Sequence, residues 1–101
     1  MMQKEAVLLS QTLGQLVKQI RAESMDQSEL AVRVGLSRNT ISAIENGKAV
    51  NSGALFAVLA QLNLLQPIID AVEQQLAQFN HQGQKKQRKQ RKAKPELSND
   101  F

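Results

Sequence analysis

The sequence predicts an all-α fold, a compact domain of five helices followed by a basic tail. Apolar residues recur three and four positions apart in five stretches of the chain, which is the spacing that places them on one face of a helix. Residues that cap or end helices separate these stretches. With 101 residues, the chain has room for one hydrophobic core, so we expect one domain with an extension.

The first two helices are predicted from their apolar faces and their end signals. Helix 1 is expected over residues 11–23, after an N-terminal arm of residues 1–9. Asp26 and Glu29 have the spacing of a capping box, which satisfies the free amide groups in the first turn of helix 2. Gly35 is expected to end helix 2, because glycine tolerates the left-handed conformation that is common just past a helix.

The third helix is predicted between a serine cap and an Asn-Gly pair. Ser37 is the expected cap, and Ile41 and Ile44 form the apolar face. The pair Asn46 and Gly47 is also a strong hairpin signal. The apolar residues before it lie three positions apart and do not alternate, which favours a helix end over a hairpin.

The fourth helix is expected to begin after a cap at Ser52 and to stop at Asn63, a residue that accepts the left-handed conformation. A fifth helix is expected over residues 66–80. It carries more apolar residues than a four-helix body can cover, which favours a dimer or partner interface, with internal packing as the alternative. These apolar residues, together with Leu65 just before the helix, are Leu65, Ile68, Ile69, Val72, Leu76 and Phe79.

The positive charge of the chain is concentrated near its C-terminus. The net charge is +4 from 13 Lys and Arg against 9 Asp and Glu, and seven of the 13 lie in residues 85–94. Residues 81–101 lack apolar periodicity and are expected to form a disordered basic tail. A solubilising role, nonspecific attachment to DNA, and contact with RNA or an acidic partner all fit such a tail.

The composition also indicates the cellular compartment of the protein. The chain has no cysteine, which excludes disulfides and agrees with a reducing environment. Its longest apolar run, residues 54–60, is far shorter than the ~20 residues that span a bilayer, and the N-terminus does not have the pattern of a secretory signal. We therefore expect a cytoplasmic protein that is not bound to a membrane.

Helices 2 and 3, joined by a turn that contains glycine, have the pattern of a helix-turn-helix. The side of helix 3 opposite its isoleucines carries Arg38, Asn39 and Ser42. An arginine can make two hydrogen bonds to guanine and an asparagine two to adenine. We therefore expect these three residues to read bases in the major groove.

The stretch DQSELAVRVGLSRNTISAIENGKAV resembles the helix-turn-helix of the Cro/C1-type, or xenobiotic response element, family of regulators. Its pattern QxxLAxxxGxSxxTISxIENGK is quite specific for that family. The resemblance covers about residues 12–65 and implies a lambda-repressor-like domain over residues 10–65 that binds double-stranded DNA. Position by position, the resemblance implies that Arg38, Asn39 and Ser42 read bases. The expected contacts to the DNA backbone come from Gln27, Ser37, Thr40, Asn46 and Lys48.

The same resemblance implies that Arg21, late in helix 1, pairs with Glu45. The turn after helix 1 is one residue shorter than usual in the family and has Ser24 where glycine is common. Two independently solvated charges are the alternative to the pair.

Within the family, LGQLVKQIR and the short body that ends after QLNLL resemble HipB-type antitoxins. This resemblance implies a homodimer that represses its own operon at an inverted-repeat operator and binds a HipA-like kinase toxin. A stand-alone regulator is the first alternative. The second is a bridging factor that contacts the transcription machinery without reading bases, and the third is a repressor whose toxin is neutralised by a separate protein.

No enzyme, cofactor or metal site is expected. His81 has no other metal-ligating residue close to it in the sequence. Asp70 and Glu73 lie three positions apart, as paired catalytic carboxylates do, but nothing else in the sequence completes a catalytic site.

Overall fold

The computed structural model describes residues 3–86, with side chains for residues 3–82. In this range the chain forms helices joined by short connections, with no strand, which confirms the all-α prediction. The five helices are α1 Lys4–Ala22, α2 Gln27–Val34, α3 Arg38–Glu45, α4 Ser52–Gln61 and α5 Leu65–Lys86.

The caps of α2 and α3 are the ones that the sequence predicts. Asp26 accepts a hydrogen bond through Oδ1 from the backbone N–H of Glu29 at 2.8 Å. Ser37 accepts one through Oγ from the backbone N–H of Thr40 at 3.1 Å. Each cap satisfies an amide group that has no partner inside its own helix, so the two helices of the helix-turn-helix begin at defined residues.

Three residues with positive φ follow helix ends, as predicted. Gly35, at φ 71°, is the C-cap of α2. Gly47 has φ 74° and Asn63 has φ 61°, and they follow the ends of α3 and α4. The pair Asn46 and Gly47 therefore ends a helix and does not form a hairpin.

Helix α1 begins at Lys4, so the prediction of an N-terminal arm over residues 1–9 is wrong from Lys4 onward. The first helical hydrogen bond runs from Val7 N to Gln3 O at 3.0 Å. Leu9 in this segment is exposed. The helix propensity of Lys, Glu, Ala and Leu supports this first part of α1 more than burial does. The segment therefore has no buried face from which the sequence could predict it.

The cap of α4 lies one residue before the predicted one. Asn51 accepts a hydrogen bond through Oδ1 from the backbone N–H of Ala54 at 2.7 Å, whereas Ser52 is the first residue inside the helix. Asparagine and serine cap helices about equally well, so composition alone does not choose between neighbouring candidates.

Helix α5 continues to Lys86, beyond the end predicted at residue 80. The prediction of disorder from residue 81 is therefore wrong for residues 81–86, and its remainder lies outside the described residues. Gln and Lys are good helix formers. Extending an existing helix adds one hydrogen bond per residue without a new nucleation step, so the helix persists where its apolar pattern stops.

The chain divides into two units after Pro67. In the first unit, α1 packs on α3, and α2 packs on both α3 and α4. Among the described residues no single helix is long and apolar enough to cross a membrane, and α4 with the first part of α5 meets that test only as a bent pair. The buried apolar residues of the first unit are Val17, Leu30, Ala31, Ile41, Ile44, Ala54, Val58 and Leu59.

The backbones of α1 and α3 meet at Gly14. A Cβ atom at this position would lie 2.3 Å from the backbone oxygen of Ile44 and 2.8 Å from that of Glu45. Real side chains do not approach a backbone oxygen so closely, so α1 reaches the C-terminal end of α3 only because residue 14 is glycine.

We predict that Gly14→Ala destabilises the protein by ~1 to 3 kcal/mol, the usual cost of overpacking a core, although alanine is the better helix former by about 1 kcal/mol. Gly53→Ala is the matched control, because the nearest atom to its Cβ would be Asn51 Oδ1 at 3.5 Å. Urea unfolding of both variants measures the difference. Equal stabilities for the two variants would contradict the close approach.

Candidate nucleic-acid interface

Helix α3 has one buried and one exposed side. Ile41 and Ile44 are buried in the core, whereas Arg38 and Asn39 are exposed and Ser42 is half-buried. Ser42 lies four positions after Arg38 and three after Asn39, so the three residues share one side of the helix. We call Arg38, Asn39 and Ser42 the reading face.

The two hydroxyl groups at the start of α3 form a pair. Ser37 Oγ and Thr40 Oγ1 lie 2.9 Å apart, and Ser37 Oγ also accepts from the backbone of Thr40. One hydroxyl proton is used between the two oxygens, which leaves the other proton available to a further acceptor. The pair can therefore donate one hydrogen bond outward, as a contact to phosphate requires.

Asn46 and Lys48 follow α3 directly and are both exposed. Asn46 Nδ2 donates to Ser42 Oγ at 3.3 Å, which leaves one amide proton and the serine hydroxyl proton for other partners. The backbone N–H of Lys48 donates to the oxygen of Ala43 at 2.9 Å. This bond fixes the backbone that carries the lysine next to the end of α3.

A buried ion pair joins α1 to the end of α3. Arg21 donates through Nε to Glu45 Oε2 at 2.5 Å and through Nη2 to Oε1 at 3.1 Å, while its Nη1 donates to the backbone oxygen of Met25 at 2.8 Å. The two side chains are 10% and 2% exposed. The pairing that the resemblance implied is confirmed, and the alternative of two solvated charges is wrong.

Gln27, at the start of α2, joins the same group. Its Nε2 donates to Glu45 Oε1 at 2.9 Å. The sequence predicts Gln27 as a contact to the DNA backbone, and one of its two amide protons is thus already used inside the domain. The second amide proton remains available to a phosphate oxygen.

The ion pair shifts both ionisation equilibria toward the charged forms. The hydrogen bond to Glu45 raises the pKa of Arg21 above its ordinary value, against the opposing effect of burial. Burial acts to raise the pKa of Glu45, but the hydrogen bonds from Arg21 and Gln27 outweigh it and leave the pKa below its ordinary value. Both groups are therefore charged near neutral pH.

Two features of this site do not follow from the motif. One is the close contact at Gly14. The sequence does carry a signal for it, since a glycine inside a helical pattern often marks a close packing contact. The other is the bond from Gln27 to Glu45, two residues 18 positions apart. Nothing in the local sequence indicates that bond, because it depends on how α2 and α3 are placed.

Two short helices that share a core, with the polar side of the second left exposed, have the arrangement of a helix-turn-helix. A family model described as helix-turn-helix matches residues 17–65. The match identifies residues 17–65 as a Cro/C1-type helix-turn-helix, a domain of DNA-binding transcription regulators. The match runs from the middle of α1 to the first residue of α5. No curated protein matches the chain.

We predict that Glu45→Gln lowers the free energy of unfolding near neutral pH by ~3 kcal/mol, because it leaves the charge of Arg21 buried and unpaired. The folded pKa of Glu45 is depressed. The stability that its carboxylate contributes is thus fully present above the ordinary pKa of about 4.3 and is lost as the pH falls through the folded pKa. The difference between wild type and variant should therefore shrink in acid.

The matched control is Glu29→Gln, which removes the exposed pair of Arg33 and Glu29, separated by 2.7 Å. An exposed pair of this kind contributes only ~0.3 to 0.5 kcal/mol. Urea unfolding between pH 3 and pH 7 compares the three proteins. A difference between wild type and Glu45→Gln that stays constant over this range would contradict a stabilising carboxylate at Glu45.

Proposed function

We propose that this protein is a sequence-specific transcriptional repressor that binds an inverted-repeat operator as a homodimer, with the reading face of α3 in the major groove. The exposed position of Arg38 and Asn39 at the first turn of α3 is the observation that carries the proposal. In helix-turn-helix proteins the N-terminal residues of the second helix contact base edges. The role places the protein in the cytoplasm, at the nucleoid.

The dimensions of α3 support this arrangement. It has eight residues, and an α-helix with its side chains is about 10–12 Å across, which fits the ~12 Å width of the major groove. A forked arginine and a primary amide at its exposed end can each make paired hydrogen bonds to a base edge, worth ~1 to 3 kcal/mol of discrimination. A helix face that contacts only solvent does not require an arginine and an asparagine in this arrangement.

The residues around the reading face are suited to hold it at a fixed depth in the groove. The hydroxyl pair of Ser37 and Thr40 retains one donor for a phosphate oxygen, Asn46 retains one amide proton, and Lys48 supplies an exposed positive charge. Gln27 has one amide proton left beside its bond to Glu45. Contacts to phosphate set the register and orientation of a DNA-binding domain, whereas base contacts carry the sequence preference.

One copy of such a domain reads only a few base pairs. Two copies related by a two-fold axis place their recognition helices about 34 Å apart, one turn of B-DNA, and read an inverted repeat. The homodimer in this proposal follows from that geometry.

The physiological setting that we propose is autoregulation as a HipB-type antitoxin, with a HipA-like kinase as protein partner. Its support is the resemblance of LGQLVKQIR and the short body of the domain. Co-expression with a kinase encoded beside this gene tests it, since a complex that inhibits the kinase is expected. If no such complex forms, a stand-alone repressor is the better description. If a neighbouring kinase is toxic but does not bind this chain, a separate protein neutralises it.

We predict that Arg38→Ala weakens binding to the preferred operator, identified by selection from random duplexes, by ~1 to 3 kcal/mol and leaves binding to scrambled DNA nearly unchanged. Arg33→Ala is the control, because this exposed arginine lies on α2 and pairs with Glu29. It should alter neither affinity. Equal reductions on both DNAs would show that Arg38 contacts only phosphate. A wild-type protein without any preferred sequence would favour the bridging factor.

We predict that removal of residues 87–101, which include five Lys and Arg, weakens binding to operator and scrambled DNA by similar factors. The slope of log affinity against log salt should become shallower by up to ~0.9 for each phosphate that the shortened protein no longer neutralises. A full-length variant with these five residues changed to glutamine separates charge from length. An unchanged slope would exclude contact between this segment and DNA and would favour a solubilising role, or RNA or an acidic protein as its partner.

A further inference from the structure

Helix α5 carries a line of exposed apolar side chains. Ile69, Val72, Leu76 and Phe79 are 37%, 61%, 56% and 71% exposed. Successive members lie three, four and three positions apart, which is the spacing of the core positions of paired helices. We call these four residues the α5 stripe, and all of them belong to the second unit of the chain.

We infer that a second copy of this chain covers the α5 stripe, so that two α5 helices pack against each other across a two-fold axis. The inference rests on the proposed function, which requires two recognition helices in one particle, and it names the surface that joins the copies. A surface that packs on itself across a two-fold axis is the commonest arrangement in homodimers.

The shape of the α5 stripe favours a helix as its partner. The four residues span about 15 Å along the helix axis, in a line one side chain wide. Such a line offers knobs and holes to another helix, whereas a small ligand binds in a concave pocket that surrounds it. The same helix in a second copy carries a line of apolar side chains with the same spacing.

Charge also favours a second copy over other partners. The positions beside the α5 stripe carry only one charged residue, Glu73, and the uncharged residues are Ile68, Gln75, Asn80 and Gln82. An acidic or basic partner helix would find little opposite charge there, and an amphipathic helix that binds membranes usually has Lys and Arg along its polar face. Two copies bring mainly neutral side chains together, with one carboxylate from each, so the charge repulsion is small.

The area of the α5 stripe fits a weak, reversible contact. From their exposure, the four residues present on the order of 400 Å² per copy, so a pair buries on the order of 800 Å². The flanking residues bring the total toward the ~1,200 Å² at which stable specific interfaces begin. Weak, reversible dimerisation that DNA strengthens is therefore the expected behaviour.

The test compares full-length Leu76→Glu with full-length Gln74→Glu by sedimentation equilibrium. Both variants add one negative charge to α5, but only Leu76 belongs to the α5 stripe. We expect wild type and Gln74→Glu to dimerise with similar dissociation constants, and Leu76→Glu to raise the constant at least ~100-fold, because an unpaired charge would be buried. A monomeric wild type at 100 μM, or a Leu76→Glu variant that dimerises like wild type, would overturn the inference.

Disulfide trapping gives a second measurement that does not depend on a destabilising charge. Because the chain has no cysteine, Val72→Cys and Leu76→Cys each introduce a unique thiol. Mild oxidation of the two variants, separately and mixed, should produce disulfide-linked dimers, 72 to 72 and 76 to 76 for parallel helices or 72 to 76 for antiparallel ones. Gln74→Cys should remain unlinked. Equal yields from Gln74→Cys would overturn the inference.

A third measurement separates this inference from the proposed function. Leu76→Glu, with its helical content and thermal unfolding checked by circular dichroism, is titrated with duplexes that contain one half-site or the full inverted repeat. We expect wild-type affinity for the half-site and affinity at least ~10-fold weaker than wild type for the inverted repeat. A dimer that forms through the α5 stripe but has no preferred DNA sequence would contradict the proposed function alone. A monomer that prefers one half-site would contradict the dimer and leave sequence-specific DNA binding by α3 intact.

Discussion

The buried pair of Arg21 and Glu45 holds the DNA-binding domain in one arrangement. A buried ion pair stabilises a fold only when further hydrogen bonds satisfy its remaining polar atoms. Here Met25 accepts from the guanidinium and Gln27 donates to the carboxylate. These contacts come from the end of α1, the following turn, the start of α2 and the last residue of α3. Because all of them are satisfied only when these segments are correctly placed, the pair fixes the position of α3.

Gly14 acts on the same end of α3, from a position about two turns before Arg21 on α1. The absence of a side chain at Gly14 lets α1 lie against the backbone oxygens of Ile44 and Glu45. The C-terminal end of α3 is thus held by backbone contact and by the ion pair, while its N-terminal end presents Arg38 and Asn39 to solvent. A helix held at one end keeps the side chains at its other end in a defined position, which limits the conformational entropy that binding would remove.

The sequence predicted the parts of the fold that bury apolar side chains and missed those that do not. The caps at Asp26 and Ser37 and the stops at Gly35 and Asn63 are local signals, and the structure confirms them. The start of α1 and the end of α5 were missed because helix propensity alone supports them. In the site, the motif predicted the exposed residues of α3. The bond from Gln27 to Glu45 could not be predicted, because it depends on the packing of separate helices.

Most of the positive charge of this chain lies apart from the reading face that we propose. Residues 1–84 contain six Lys and Arg against seven Asp and Glu, and Arg21 is neutralised by Glu45 inside the domain. One domain therefore gains little from the release of counterions, the main source of affinity for DNA. The large excess of positive charge lies in residues 85–94, and it begins on the same helix that carries the α5 stripe. Two copies joined through α5 would double both the reading faces and this charge. Dimerisation would then raise sequence preference and electrostatic affinity together, although the two properties reside in different residues.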